Sequence, residues 1–182
     1  MSKNHVCPWW MAYTFDNPLR RLIHNPAKIF NDLVRPAMTV MDIGCGMGYF
    51  SIGMAQMIGD SGRVIAIDLQ QQMLDITMKR AARKGVGQRI EPYLCEADRI
   101  DINCKIDFIL AFWVVHELPD PAAFFKNVAS LLKPAGKLIY SEPVFHVSAA
   151  KYNDILNSAR AEGIKKDQDL NISFSRAALL SV

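Results

Sequence analysis

TVMDIGCGMGYF, residues 39–50, is an apolar run that reaches an acidic residue and continues into three alternating glycines. A segment with helical character follows, over residues 49–58. We predict a β-strand, a tight turn and a helix start, because glycine accepts positive φ and has no Cβ to keep a ligand away from the backbone. The helix N-terminus adds unpaired N–H groups and a partial positive charge. The stretch therefore predicts a site where a ligand lies against bare backbone.

The spacing of the glycines distinguishes three kinds of nucleotide-type site. A phosphate-binding P-loop needs a lysine after its last glycine, and none follows here. A dinucleotide fingerprint reads GxGxxG, whereas the third glycine here comes one residue early, as Gly44-x-Gly46-x-Gly48. This spacing, with Asp42 before it, resembles motif I of class I S-adenosylmethionine (SAM) methyltransferases. The resemblance implies SAM as the cofactor and S-adenosylhomocysteine as its product.

A second acidic residue follows the next apolar run, RVIAID, at residues 63–68. In doubly wound sheets an acidic residue after the second strand accepts hydrogen bonds from ribose hydroxyls, which is the role we expect for Asp68. The alternative is that Asp68 caps the helix predicted over residues 70–84, and the two roles are compatible. Leu69 and Met73 are then the apolar neighbours of the adenine.

The resemblance assigns further residues to the cofactor site. Counting from Ile90 favours Glu96 and Ala97 as adenine contacts, whereas the acidic pattern favours Asp98, so all three stay open. Ala111 and Phe112 correspond to the segment near the methionine part of SAM. The full set of expected cofactor-binding residues is Asp42, Gly44, Cys45, Gly46, Gly48, Asp68, Leu69, Met73, Glu96, Ala97, Asp98, Ala111 and Phe112.

The segment after Phe112 is expected to lie at the reacting end of the site. His116 and Glu117 are the predicted catalytic residues, with His116 as a possible general base. The alternative is that this pair caps the next helix or forms hydrogen bonds within the fold. Glu142 and His146 follow the next strand and face the same end of the sheet. In-line methyl displacement demands alignment of the reactants, and a base only where the acceptor must lose a proton.

Strand and helix patterns alternate along the rest of the chain. This order predicts an α/β fold, a Rossmann-like, doubly wound, seven-stranded and mainly parallel sheet with an antiparallel C-terminal edge hairpin. Residues 1–36 are predicted as an N-terminal cap segment with short helices, one of them over residues 26–34, and residues 37–182 as the SAM-binding domain. The aromatic stretch 7–15 is expected to cover a pocket. We also predict helices over 121–132 and 147–162, and strands over 89–95, 106–113, 137–142, 164–172 and 175–182.

Composition limits the remaining classes. The 182 residues carry 21 Lys and Arg against 18 Asp and Glu, a net charge of +3 that is too small to indicate nucleic-acid binding. The four cysteines have no zinc-site spacing, so we expect no metal and a reduced, cytoplasmic protein. No apolar run reaches the ~18 residues of a membrane span. A small-molecule substrate is the expected partner, and a homo-oligomer stays open.

Three functions are compatible with these sequence features. The leading one is methyl transfer from SAM to a small molecule, since the chain resembles the methyltransferase-domain group that includes ubiquinone and menaquinone biosynthesis enzymes. The glycine loop, Asp68 and the turn Leu131-Leu132-Lys133-Pro134-x-Gly136 carry that resemblance. The second is a SAM-binding regulatory or partner-binding module without turnover. The third, a nicotinamide-dependent oxidoreductase, is disfavoured by the early third glycine.

Overall fold

The computed structural model describes residues 18–96 and 100–182. Seven strands occur in these ranges: β1 Thr39–Ile43, β2 Arg63–Asp68, β3 Ile90–Leu94, β4 Ile106–Phe112, β5 Leu132–Pro143, β6 Lys165–Leu170 and β7 Ser175–Ser181. They form one sheet in the order β3-β2-β1-β4-β5-β7-β6. The predicted α/β class, the seven strands and the antiparallel C-terminal hairpin are confirmed.

Six α-helices lie in the same ranges: α1 Pro18–Ile23, α2 Pro26–Ile29, α3 Tyr49–Met57, α4 Gln71–Arg83, α5 Pro121–Leu131 and α6 Ala149–Ala161. Short 3₁₀ helices occur at Gly87–Arg89 and Val115–Glu117. The described residues divide into two compact units, an N-terminal unit up to residue 95 and a C-terminal unit from residue 96. The aromatic stretch 7–15 and the candidates Ala97 and Asp98 lie outside the described residues.

The N-terminal unit is built on three parallel strands. β1 pairs with β2, and β2 pairs with β3. Because β1 and β2 are buried on both faces, their sequences are nearly continuous apolar runs. α3 and α4 cover them, and α4 buries Met73, Leu74, Thr77 and Ala81, which recur at helical spacing. β3 is an edge strand with exposed Glu91 and Pro92, as the proline predicts.

The C-terminal unit combines parallel and antiparallel pairs. β4 runs parallel to β5, while β7 is antiparallel to both β5 and β6. Phe108 and Ile109 on β4 and Leu138 and Ile139 on β5 are fully buried, so apolar packing accounts for the centre of this unit. β6, with the sequence KKDQDL, is the other edge strand, and its first five residues are exposed.

Two sequence-based boundaries are wrong. β5 begins at Leu132 rather than residue 137, because the Lys-Pro-Ala-Gly stretch pairs irregularly with β4, with a register shift between Ile106 and Phe108. The helix predicted to run to residue 34 ends at Ile29, and Phe30 forms its C-cap through an N–H donated to the Pro26 carbonyl. Asn31 and Asp32 follow, and both residue types are poor helix formers.

Within the described ranges, the helices and the acidic, histidine and cysteine side chains exclude two kinds of feature. No helix there is long and apolar enough to cross a membrane. No group of three or more His, Cys, Asp and Glu side chains there has the arrangement of a metal site.

Candidate cofactor and catalytic sites

The glycine loop between β1 and α3 has the backbone that its sequence predicts. Gly44, Gly46 and Gly48 have φ of 70°, 53° and 75°. A Cβ placed on Gly46 meets no atom within 4 Å, whereas one on Gly48 lies 2.5 Å from Thr77 Cγ2. Gly46 therefore presents bare peptide to open space, and Gly48 is required for packing against α4.

The structure brings Asp68 to this loop. The Gly46 N–H donates to Asp68 Oδ2 at 2.9 Å, and the Gln70 N–H donates to Oδ1 at 3.0 Å. Burial raises the pKa of this carboxyl, although the N–H donors of Gln70, Gly46 and Leu69 act against that rise. Asp68 thus fixes the loop and also precedes the N-cap of α4, Gln70. Each carboxylate oxygen has two lone pairs, so acceptor capacity is left for a ligand.

Two further residues hold the loop, and sequence reasoning missed both. Thr77 Oγ1 donates to the Gly46 carbonyl at 2.9 Å, and Arg80 Nη1 donates to the Met47 carbonyl at 2.9 Å. Both lie on the face of α4 that begins with Met73, at i+4 and i+7. The sequence did offer one signal for Thr77, because a hydroxyl at a buried position on this face of α4 needs a hydrogen-bond partner.

Asp42 on β1 and Cys45 within the loop are both buried. The Asp42 carboxylate is 2% exposed and accepts a hydrogen bond from Ser51 Oγ on α3. Burial raises its pKa to about 6, opposed by the Ser51 hydrogen bond and the charge of Arg20. Burial, together with the charges of Asp42 and Asp68, also raises the pKa of the Cys45 thiol well above its usual value. Cys45 is therefore a small apolar residue here rather than a nucleophile.

The other adenine-side candidates differ in exposure. Met73 is 1% exposed and belongs to the core of the N-terminal unit, while Leu69 is half-buried. Glu96 is exposed just after β3, and the preceding Cys95 N–H donates to the Asp68 carbonyl at 3.1 Å. Hence β3 and its exit are tied to the residue that we expect to bind ribose.

In the C-terminal unit, Ala111 and Phe112 end β4, and both are buried. The next residue, Trp113, has φ of 60°, a left-handed conformation that a bulky residue rarely adopts. Its N–H donates to the Ser141 carbonyl at 2.8 Å, and its indole N–H donates to Ser175 Oγ at 2.9 Å. These bonds hold the sharp turn from β4 into the 3₁₀ helix, where strain is typical of functional loops.

That turn brings His116 onto Glu142. His116 Nδ1 lies 2.5 Å from Glu142 Oε2, and the His116 backbone N–H donates to Oε1 at 3.0 Å. Glu142 is fully buried. Glu117, the other predicted catalytic residue, has its Oε1 3.9 Å from His116 Nε2, beyond hydrogen-bond distance. The His146 ring lies 5.0 Å from the His116 ring, centre to centre.

An apolar surface adjoins this pair. Phe145 and Phe174 are 64% and 58% exposed, and Val144, whose N–H donates to the Phe174 carbonyl, is 41% exposed. The Trp113 and Phe145 rings meet edge to face at 5.5 Å. Exposed apolar side chains that cluster in this way are typical of a surface that contacts a ligand, another protein or a membrane.

Comparison with known proteins gives a consistent family. The family model described as a methyltransferase domain matches residues 35–176. A ubiquinone biosynthesis O-methyltransferase of Xanthomonas axonopodis pv. citri is 31% identical over 136 residues, which cover 73% of this chain and 55% of that protein. The chain thus spans about half the length of the curated relatives it matches.

Solved structures show the same fold. A SAM-dependent methyltransferase from Aquifex aeolicus superposes with a TM-score of 0.84 at 21% identity, covering 95% of this chain and 97% of that one. The cyclase SpnF superposes with a TM-score of 0.70 at 20% identity, covering 84% and 59%. On its family match and its glycine loop, the chain belongs to the methyltransferase domain family of class I architecture.

Proposed function

We propose that this protein binds SAM and transfers its methyl group to a small-molecule acceptor by in-line displacement. The observation that carries the proposal is the open space over Gly46, whose amide is fixed by the carboxylate of Asp68. A nucleoside needs both features, bare peptide to approach and an acidic acceptor for its ribose hydroxyls.

The residues fit the cofactor that the family implies. When bound, SAM supplies a methyl group on a sulfonium that leaves as a neutral thioether. The backbone of Gly44 and Gly46 would hold it, and Asp68 would accept hydrogen bonds from its ribose hydroxyls. The other roles proposed on the resemblance are those of Leu69 and Met73 at adenine, Glu96, Ala97 or Asp98 at the adenine edge, Ala111 and Phe112 at the methionine part, and Asp42, Cys45 and Gly48 in shaping the loop.

The acceptor is proposed to be a small molecule with an apolar part. The exposed Phe145, Phe174 and Val144 support this, because they offer contact area to an apolar ligand. The names of the relatives add ubiquinone biosynthesis as a precedent for such acceptors. A cytoplasmic location stays a prediction from cysteine usage, and a homo-oligomer stays open.

Calorimetric titration with SAM and with S-adenosylhomocysteine tests cofactor binding. The matched pair is Gly46→Val against Gly85→Val, since both glycines have positive φ and an unobstructed Cβ position, but Gly85 follows α4 away from the loop. We expect both variants to lose stability and only Gly46→Val to lose SAM affinity. Binding by Gly46→Val at the affinity of the unmodified protein would contradict this placement of the cofactor.

A second candidate is a SAM-binding protein that does not transfer methyl groups. The likeness in fold to the cyclase SpnF keeps this candidate open, because the shared fold does not dictate one reaction. A radiolabelled-methyl assay against cell extract, with lipid and aqueous fractions counted separately, separates the two. Label transfer that disappears in Asp68→Ala supports the enzyme, and SAM binding without label transfer supports the alternative. The family match leaves the oxidoreductase hypothesis without support.

A further inference from the structure

Both oxygens of the Glu142 carboxylate contact nitrogen atoms of His116. Oε1 accepts the backbone N–H of His116 at 3.0 Å, and Oε2 lies 2.5 Å from ring atom Nδ1. The side chain of Glu142 is 0% exposed and that of His116 is 7% exposed, so water competes little for these contacts. Both the position and the rotation of the imidazole are therefore fixed by one carboxylate.

The contact with Glu142 also determines which nitrogen of the His116 ring carries the proton. An ionised carboxylate only accepts hydrogen bonds, so the ring nitrogen that faces it must carry a hydrogen. A neutral imidazole has one N–H and one bare nitrogen, and with Nδ1 protonated the bare nitrogen is Nε2. Glu117 is too far from Nε2 to accept a hydrogen bond from it, at 3.9 Å.

We propose that His116 Nε2 is the general base of the methyl transfer and that Glu142 is its positioning residue. The acceptor then has a hydroxyl that gives its proton to this base, and the exposed Phe145, Phe174 and Val144 indicate that the rest of the acceptor is apolar. This inference rests on the proposed function. The acceptor's O–H bond breaks, its proton goes to Nε2, and the electron pair on oxygen forms the bond to the methyl carbon. The electron pair of the broken carbon–sulfur bond would remain on sulfur in the neutral thioether, and the buried carboxylate of Glu142 would balance the resulting imidazolium.

The surroundings of His116 agree with this role. Lys151 Nζ on α6 donates to the His116 carbonyl at 3.2 Å, which anchors the 3₁₀ helix. The titratable and charged groups around the pair include four on or beside the strands, namely Glu142 and Tyr140 on β5, His146 after β5 and Arg176, which is opposite Glu142 on β7. The others are Glu117 on the same 3₁₀ helix and Lys151 and Tyr152 on α6. Within residues 18–96 and 100–182, both hydrogen bonds of the Glu142 side chain go to His116, so its carboxylate is directed at that residue.

The tautomer of His116 tests the inference without any cofactor. In ¹⁵N-labelled protein at a pH where the ring is neutral, long-range ¹H–¹⁵N spectra assign the ring proton of His116, identified by its disappearance in His116→Gln. We expect the proton on Nδ1 and a bare Nε2. A proton on Nε2 in the unmodified protein overturns the inference, whether or not SAM binds.

Glu142→Gln supplies the second test. A glutamine has one acceptor oxygen for the two N–H groups of His116, so its amide NH₂ must face one of them. The ring relieves that clash by moving its proton to Nε2, and we expect this tautomer in the variant. Glu117→Gln is the matched control, and its spectrum should keep the proton on Nδ1. A tautomer that responds to Glu117→Gln and not to Glu142→Gln overturns the assignment.

Methyl transfer to the extract acceptor gives the third readout. We expect His116→Gln and Glu142→Gln to lower the rate by about 10²–10⁴-fold while SAM affinity in calorimetry is unchanged. Asp154→Asn, on the exposed side of α6, is the control for removing a carboxylate. If the unmodified protein does not bind SAM, the proposed function is refuted. If a folded Glu142→Gln variant keeps full transfer activity, only this inference is refuted.

Discussion

Replacing Gly48 by alanine should destabilise the N-terminal unit through a single contact. The new Cβ would lie 2.5 Å from Thr77 Cγ2 and 2.7 Å from Thr77 Oγ1. Thr77 is fully buried and its hydroxyl is bonded to the Gly46 carbonyl, so it cannot rotate away without losing that bond. Overpacking of this kind costs about 1–3 kcal/mol. A non-glycine residue at φ of 75° adds about 1–2 kcal/mol.

The free energy of unfolding should therefore fall by roughly 2–5 kcal/mol, which urea denaturation followed by circular dichroism measures directly. Gly85→Ala is the matched control, because its φ is 71° and a Cβ there meets no atom within 4 Å. It should lose only the conformational part, about 1–2 kcal/mol. The double variant with Thr77→Ala should recover part of the overpacking cost. If Gly48→Ala loses no more stability than Gly85→Ala, the packing explanation is wrong.

The remaining predictions concern buried acidic groups and a thiol. Because the pKa of Asp42 is about 6 when folded and 3.8 ordinarily, the folded state holds this proton more tightly, and the stability it contributes is lost as pH rises from about 4 to about 6. The free energy of unfolding of Asp42→Asn should therefore rise by up to roughly 3 kcal/mol relative to that of the unmodified protein across that interval. Parallel curves of unfolding free energy against pH for the two proteins, measured by urea titration, would contradict this. Asp68→Ala should weaken SAM binding about 10-fold or more in calorimetry and lower the melting temperature, since it removes the acceptor for the Gly46 and Gln70 N–H groups; a normal SAM affinity would show that the carboxylate is only structural. Cys45, with its raised pKa, should react with iodoacetamide far more slowly than half-buried Cys104 in peptide mass maps, and denaturant should abolish the difference.

The parts of the molecule that sequence predicted well are those set by local patterns. The alternation of Gly44, Gly46 and Gly48 after an apolar run specifies the turn, because only glycine adopts positive φ at three such positions easily. Asp68 was selected as a candidate because it ends the second apolar run, residues 63–68. Its bonds to the Gly46 and Gln70 N–H groups hold the loop, whereas the alternative role of Asp68 as the cap of α4 is wrong, because the N-cap is Gln70.

The contacts between distant segments were not predictable in the same way. Glu142 pairs with His116 because β4 and β5 are in register with Phe112 opposite Ser141, which brings the residue after Ser141 to the exit of β4. A change of one residue in that register would turn the glutamate to the opposite face of the sheet. The sequence placed both side chains at one end of the sheet, but it held no signal for their register or for the 12-residue length of β5.

The two outer strands have a consequence for how copies of this protein meet. A sheet border with free N–H and C=O groups recruits strands from other molecules and leads to fibrous aggregates. At one border, Pro92 removes a donor from β3. At the other, the lysines and aspartates of β6 would have to shed bound water and face their own charges in a neighbouring copy. Continuous cross-molecule ribbons are thus discouraged at both borders, so self-association that serves this protein must use helices or loops instead.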